Sequence, residues 1–273
     1  MYKCLNRGAL RVQAEWEECL PLAKAAGFEG VDPELGADSS AAQVSDALAA
    51  NDLRIGGAGL PVEFRADEET FKAGLESLKK IAPIAAAANC TRFATYILSF
   101  SDDLPFEENF SQHARRLGEA ARILAASGCR IGLEFLGPKT LRDGHDYEFI
   151  HTMGRMLELC AAVGSNAGLL LDAWHWYTSR STVAALQALT PDQIVYVHIN
   201  DAPLDVAIDD QIDDQRALHG DTGVIDLAGF CTALRAIGYD GPVVPEPFIN
   251  EFGDMDAGDV VDRAGKAYAG FWG

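Results

Sequence analysis

Glu134, Asp172, His198 and Glu246 each close a short apolar or β-prone run, and the end of a buried strand is where α/β proteins place their chemistry. The stretch LLLDAWHW, residues 169–176, is the clearest case. Residues 167–171 are small or apolar without alternation, which suits a parallel strand covered on both faces; Asp172 follows, and His175 comes three residues later. Taken alone, Asp172 could equally cap the next turn and His175 pack beside Trp174 and Trp176. Three further runs change that balance: RIGLEFL delivers Glu134, IVYVHIN delivers His198 and GPVVPE delivers Glu246. Three carboxylates and an imidazole brought together without a nearby lysine repel one another unless protons or a divalent cation neutralise them. A mixed oxygen and nitrogen donor set suits manganese, magnesium, cobalt or zinc and leaves positions open for a substrate. The expectation is one divalent ion, manganese foremost, held by Glu134, Asp172, His198 and Glu246.

Such convergence needs a scaffold whose strand ends meet. Strand-like runs fall at 2–6, 28–34, 53–59, 91–98, 130–136, 167–172, 194–200 and 241–246. Helical spacing falls between them, at 13–26, 39–50, 67–88, 106–126, around Phe149, Met153, Leu157 and Cys160, then at 182–189, 225–237 and 259–270. Eight strands alternating with eight helices in 273 residues predict a (β/α)8 TIM barrel spanning residues 1–273 as one domain. AAGFEGVDPE (25–34) and AIGYDGPVVPE (236–246) share the order helix end, Gly, aromatic, acid, Gly, strand, Pro, Glu, an internal echo that fits a repeated βα unit. The alternative, a doubly wound open sheet, lacks a GxGxxG or GxxxxGK turn after any strand. The polar, aspartate-rich segment 201–222 is longer than a connection needs, so a functional or mobile loop is expected there.

Composition narrows the partners. With 41 acidic against 22 basic residues the chain carries a net charge of −19, which repels phosphodiester backbones and anionic membranes. A small molecule is the expected partner, with no nucleic acid and no membrane. The six cysteines are dispersed without a CxxC pair, so they read as reduced core thiols, not a zinc knuckle or a disulfide framework. No basic region followed by an apolar run precedes the first strand, and a cytoplasmic protein is expected.

The set GLEFLGP, LDAWHWY, VHINDAP, Arg216 followed by HGDTGVIDL, and GYDGPVVPEPF resembles the sugar isomerase and epimerase family of xylose-isomerase-like TIM barrels. That family includes ketose 3-epimerases, hydroxypyruvate isomerases and inosose dehydratases and isomerases. The resemblance is strongest over 132–248 and implies roles position by position. Glu134 and Glu246 would be metal ligands that also act as acid and base. Asp172 and His198 would complete the ligand set, and His175 and Arg216 would contact substrate oxygens. Many relatives carry proline before the first glycine of the turn after the arginine; this chain has His219 there, which bears on loop geometry and substrate fit.

The resemblance implies a divalent-metal-dependent isomerase or epimerase of a sugar, keto-sugar or inosose. A metal-stabilised enediolate forms as a proton leaves carbon, and the two glutamates remove and return that proton. Expulsion of a β-hydroxyl from the same enolate makes an inosose-type or dehydroshikimate-type dehydratase the alternative. A nuclease on this fold would need more histidines and a basic face; a barrel that only binds sugar would have no need of four matched strand ends. For Arg216 the competing reading is a salt bridge that neutralises its acidic loop. Asp32 and Glu34 either reach the barrel mouth from the second strand or lie in a solvated turn. His145 and His151 are expected at the surface or in helix packing, and one of Trp174 and Trp176 in the pocket. A homo-oligomer is possible.

Overall fold

The computed structural model describes residues 1–272. A parallel ring of eight strands runs β1 (Tyr2–Leu5), β2 (Gly30–Val31), β3 in two pieces (Arg54–Ile55 and Ala58–Gly59), β4 (Arg92–Ile97), β5 (Arg130–Phe135), β6 (Ala167–Asp172), β7 (Ile194–Ile199) and β8 (Pro242–Pro245). β1 pairs with both β2 and β8, and the ring closes through β3, whose first piece pairs with β2 and whose second pairs with β4. The run 53–59, read as one strand, is thus interrupted at Gly56 and Gly57. Each connection crosses over through helix, as parallel neighbours require: α1 (Trp16–Ala25), α2 (Ala41–Ala50), α3 (Glu68–Ala87), α4 (Phe106–Ala126), α5 (Met153–Val163), the short α6 (Ala173–Thr178) and α7 (Val183–Gln187), α8 (Leu227–Ala236) and α9 (Ala257–Ala267). The sequence reading had no α6. It runs the last helix to 270, where the structure tightens into a 3₁₀ turn over Tyr268–Gly270.

Two apolar layers hold the barrel. The larger lies between strands and helices and takes in Phe28, Phe71, Phe93, Phe135, Trp174 and Phe230. The smaller fills the ring itself with Tyr2, Cys4, Leu170, Tyr196 and Val244. Side chains alternate faces along a strand, so the residue two positions beyond each interior residue also points inward, one layer nearer the C-terminal mouth. Leu170 is followed in this way by Asp172, Tyr196 by His198, Val244 by Glu246 and Cys4 by Asn6. Register sets the depths: His198 lies opposite Asp172 on β6 and Val244 on β8, while Tyr96 lies opposite Glu134. The Glu246 amide donates to Ile199 O at 2.9 Å, which continues the ladder past Pro245 and fixes the glutamate at that depth.

The loop 201–222 is pinned at its root. Asp201 and Ala217 exchange backbone hydrogen bonds, and the Asp201 carboxylate accepts from the amides of Ala202, Thr222, Gly223 and Ile225. The six cysteines are free and buried. Among the described residues no helix is long and apolar enough to cross a membrane.

Candidate metal centre

The ends of β5, β6, β7 and β8 bring one ligand atom each from Glu134, Asp172, His198 and Glu246 to within 4.8 Å of one another. His198 Nδ1 lies 3.2 Å from Glu246 Oε2, 3.5 Å from Glu134 Oε1 and 3.9 Å from Asp172 Oδ2. None of these approaches has hydrogen-bond geometry, so His198 Nδ1 and Glu134 Oε1 are buried without a partner. Burial, with the charges of Glu246 and Asp172, pushes the Glu134 carboxyl up to about 8. Burial disfavours the His198 imidazolium, but Glu246 and Glu134 outweigh it and raise this group well above the ordinary histidine range. Burial also opposes the Glu246 charge, and His198 with Arg216 overcomes it, holding that carboxyl below its usual value. Left to itself, the cluster therefore balances its charge with protons. A divalent cation suits the same donors: three carboxylates and one imidazole, two of their atoms otherwise orphaned in the interior.

Asp172 divides its two oxygens between the following turn and the cluster. Its Oδ1 accepts from the Trp174 amide at 2.5 Å and so caps α6, while Asn200 Nδ2 reaches both of its oxygens at 3.2 Å. Its Oδ2 faces the cluster and accepts from Arg216 Nη1 at 2.9 Å. Arg216, its side chain only 1% exposed, also holds Glu246 Oε2 at 3.2 Å and Asp213 Oδ1 at 2.9 Å. Burial opposes the guanidinium charge, but Asp172, Asp213 and Glu246 outweigh it and raise its pKa. His175 is wholly buried beside it: Gly137 N–H donates to Nδ1 at 3.1 Å, so the ring proton sits on Nε2, 3.3 Å from Arg216 Nη2. Burial drives its pKa down to about 3, which keeps the ring neutral. The structure thus gathers His175 and Arg216 at the back of the ligand cluster, and neither lines the cavity in front of it.

That cavity, about 350 Å³, opens at the mouth and is lined by Glu134, His198 and Glu246 together with Asp32, Asn6 and Tyr196. Asp32, left open between mouth and solvated turn, belongs to the mouth. It accepts from Asn6 Nδ2 at 2.8 Å, from the Gly57 amide at 2.7 Å and from the Tyr196 hydroxyl. Glu34 lies outside, paired with Arg7 at the surface. Asn6, Tyr196 and Asn200 were missed by sequence reasoning, whereas Asp213 belongs to the acidic loop that the salt-bridge reading of Arg216 named. The available signal was the two-residue step, from Cys4 to Asn6 and from His198 back to Tyr196 and on to Asn200.

The remaining candidates stand apart. His145 pairs with Asp102 and stacks on Phe100; His151 bonds the Phe149 carbonyl. His219 is buried, with Nε2 donating to Ala264 O at 3.0 Å and its ring against Tyr268. Trp176 packs on Phe230, and Trp174 lies under the Arg216 guanidinium, so neither indole lines the cavity.

A family model described as xylose isomerase-like TIM barrel matches residues 20–266. An inosose isomerase of Bacillus velezensis is 23% identical over 97% of this chain and 94% of its own. Shorter matches include a ketose 3-epimerase of Arthrobacter globiformis, 25% identical over 67% of this chain and 58% of its own, and a 3-dehydroshikimate dehydratase of Pseudomonas putida, 30% identical over 56% and 22%. Among solved structures, a xylose isomerase domain protein from Alicyclobacillus acidocaldarius superposes with a TM-score of 0.83, covering 98% of both chains at 29% identity. The IOLI protein with a binding zinc atom gives 0.81 at 21% identity, over 100% of this chain and 98% of its own.

Proposed function

This chain belongs to the xylose isomerase-like TIM barrel family, and on that premise we propose that it is a divalent-metal-dependent isomerase or epimerase acting on a sugar, keto-sugar or inosose. The observation that carries the reading is the convergence of Glu134, Asp172, His198 and Glu246 on one point at the wall of an open cavity. Full-length similarity to an inosose isomerase supports the reaction class. Manganese is the proposed ion, with magnesium, cobalt or zinc as alternatives; a neighbour of the same fold is described with a zinc atom.

Glu134, Asp172, His198 and Glu246 would hold the ion, which would supply Lewis-acid polarisation of a substrate carbonyl and so make the neighbouring C–H more acidic. Glu134 and Glu246 then divide the proton transfer. One carboxylate takes the proton from carbon and the other returns one. Return to the opposite face of the same carbon is epimerisation; return to the neighbouring carbon, with the hydroxyl proton passing to the former carbonyl oxygen, is isomerisation. Arg216 and His175, behind the ligands, are proposed to act on the substrate through them, Arg216 fixing the positions of Asp172 and Glu246. A dehydratase is the second reading, favoured by the 3-dehydroshikimate dehydratase among the relatives; it would use the same proton abstraction and lose a β-hydroxyl.

The test is solvent exchange. The manganese-loaded protein, incubated in deuterated water with a panel of inososes and ketoses, is expected to place deuterium on carbon in at least one of them. Glu246→Gln keeps the volume but cannot carry a proton, and its exchange rate is expected to fall by ~10² to 10⁴. No exchange across the panel, or a normal rate in the variant, would overturn the proposal.

A further inference from the structure

Arg54, Arg92 and Arg130 each open a strand, β3, β4 and β5 in turn. In a parallel ring the first residues of successive strands share one face, so the three arginines sit at the end of the barrel away from the metal centre. Arg92 and Arg130 lie opposite each other in the ladder. Burial first, and then the charge of Arg92, hold Arg130 below the usual guanidinium value. In a chain with a net charge of −19, three cations opening adjacent strands are an exception that needs a reason.

Their partners differ. Arg130 is engaged by backbone, with Nη1 on Ile194 O at 3.4 Å and Nη2 on Asp192 O. Arg92 donates from Nη1 to Val195 O at 3.0 Å, and its Nη2 lies 3.4 Å from Asp240, a carboxylate that is itself 87% exposed. Among the described residues the Arg54 guanidinium donates no hydrogen bond and forms no ion pair. It lies 3.7 Å over the Tyr2 ring, whose hydroxyl is held by Ile55 O at 2.6 Å. Stacking on a fixed ring sets the plane of the fork and leaves its N–H edges for a ligand.

Arg54 and Arg92 line a cavity of about 250 Å³ together with Asn89, Thr91 and Asp240. The Asn89 amide and the Thr91 hydroxyl also have no hydrogen-bond partner among the described residues, and a left-handed backbone (φ 63°) sets Asn89 in the turn between α3 and β4. Four side chains with donors to offer, against one exposed carboxylate, favour an anion. The arginine fork matches the paired oxygens of a phosphate. The acidic balance of the chain as a whole repels a long polyanion, so a small oxyanion is the ligand that fits.

We propose that this end of the barrel binds phosphate, free or as a small monoester, through Arg54 and Arg92 with help from Asn89 and Thr91. The site is separate from the metal centre and does not rest on the isomerase or epimerase reading.

Calorimetric titration of the magnesium-loaded protein with inorganic phosphate and with methyl phosphate tests it, at an ionic strength held constant with chloride. One saturable equivalent is expected, with Kd on the order of 1 mM or below. Arg54→Ala is expected to weaken binding by roughly tenfold or more. Should that variant not fold, Asn89→Gly takes its place: glycine suits the left-handed turn, and loss of the amide should weaken binding by roughly threefold or more. His198→Ala locates the ligand, since phosphate held at the barrel mouth falls away with it and phosphate held at Arg54 does not. Tighter binding of methyl phosphate identifies the monoester as the ligand, and tighter binding of inorganic phosphate identifies the free ion. No saturable binding of either probe, an affinity unchanged in the folded variant, or an affinity lost with His198→Ala overturns the proposal.

Discussion

Three carboxylates surround the Arg216 guanidinium, and removing it would strand their charges in the interior. Of the two readings posed by the sequence, the structure shows the salt bridge. Breaking a buried ion pair costs about 3–5 kcal/mol, so Arg216→Ala is expected to lower Tm on the order of 5–15 °C as well as impair turnover. Arg216→Lys, which keeps the charge but loses the planar fork, should recover part of the stability and little of the activity. Thermal unfolding beside steady-state kinetics checks both, and an unchanged Tm in Arg216→Ala would show that the carboxylates do not depend on it. At this scale the four clustered residues were legible because each is a ligand type at the end of a β-prone run. The network behind them was not, because Arg216 gathers partners from β6, β8 and its own loop, and no spacing rule links those segments.

The eight strands and their order could be read from hydrophobic runs alternating with helical spacing, and the structure keeps that order. What the pattern did not reveal is the break in β3. Propensity sees two glycines as weak strand; their physical reason is across the barrel. A Cβ on Gly56 would stand 2.0 Å from Asp32 Oδ1 and 2.6 Å from Cys4 Sγ, and one on Gly57 would stand 2.5 Å from the Tyr196 ring. The interruption lets the backbone approach the Asp32 wall closely enough for the Gly57 amide to donate to it. Gly56→Ala is thus expected to cost about 1–3 kcal/mol through overpacking and to displace Asp32. Gly59→Ala, with open space around its Cβ, is the control and should be nearly neutral. Equilibrium unfolding of the two variants decides it; equal stability would remove the steric account of the break. The echo between 25–34 and 236–246 likewise matched the elements but not the site. It sets Glu34 against Glu246, whereas Asp32 is the residue that faces the cavity.

Across the molecule, stability should respond to pH through histidines sealed in the packing. Burial drives His219 down to about 3 and His113 down to about 4. The unfolded chain takes up these protons near pH ~6.5 and the folded chain does not. Their contribution is therefore intact above that pH and is lost progressively as pH falls toward the folded values. His219→Phe, whose ring can rest against Tyr268 and Phe271, is expected to lose on the order of 1–2 kcal/mol less than wild type between pH 7 and pH 5. Denaturant unfolding at the two pH values measures that difference; parallel losses would mean that His219 already titrates in the folded chain. This histidine, where the resemblance leads one to expect proline, ties the loop after β7 to α9 through Ala264, a link that sequence could flag as a departure without saying what it held. The account as a whole stands on the mouth of the barrel being a metal centre. Metal-stripped protein titrated with manganese is predicted to bind one equivalent, and Asp172→Asn and His198→Ala, folded by circular dichroism, to lose it. Wild-type stoichiometry and affinity in both variants would contradict it.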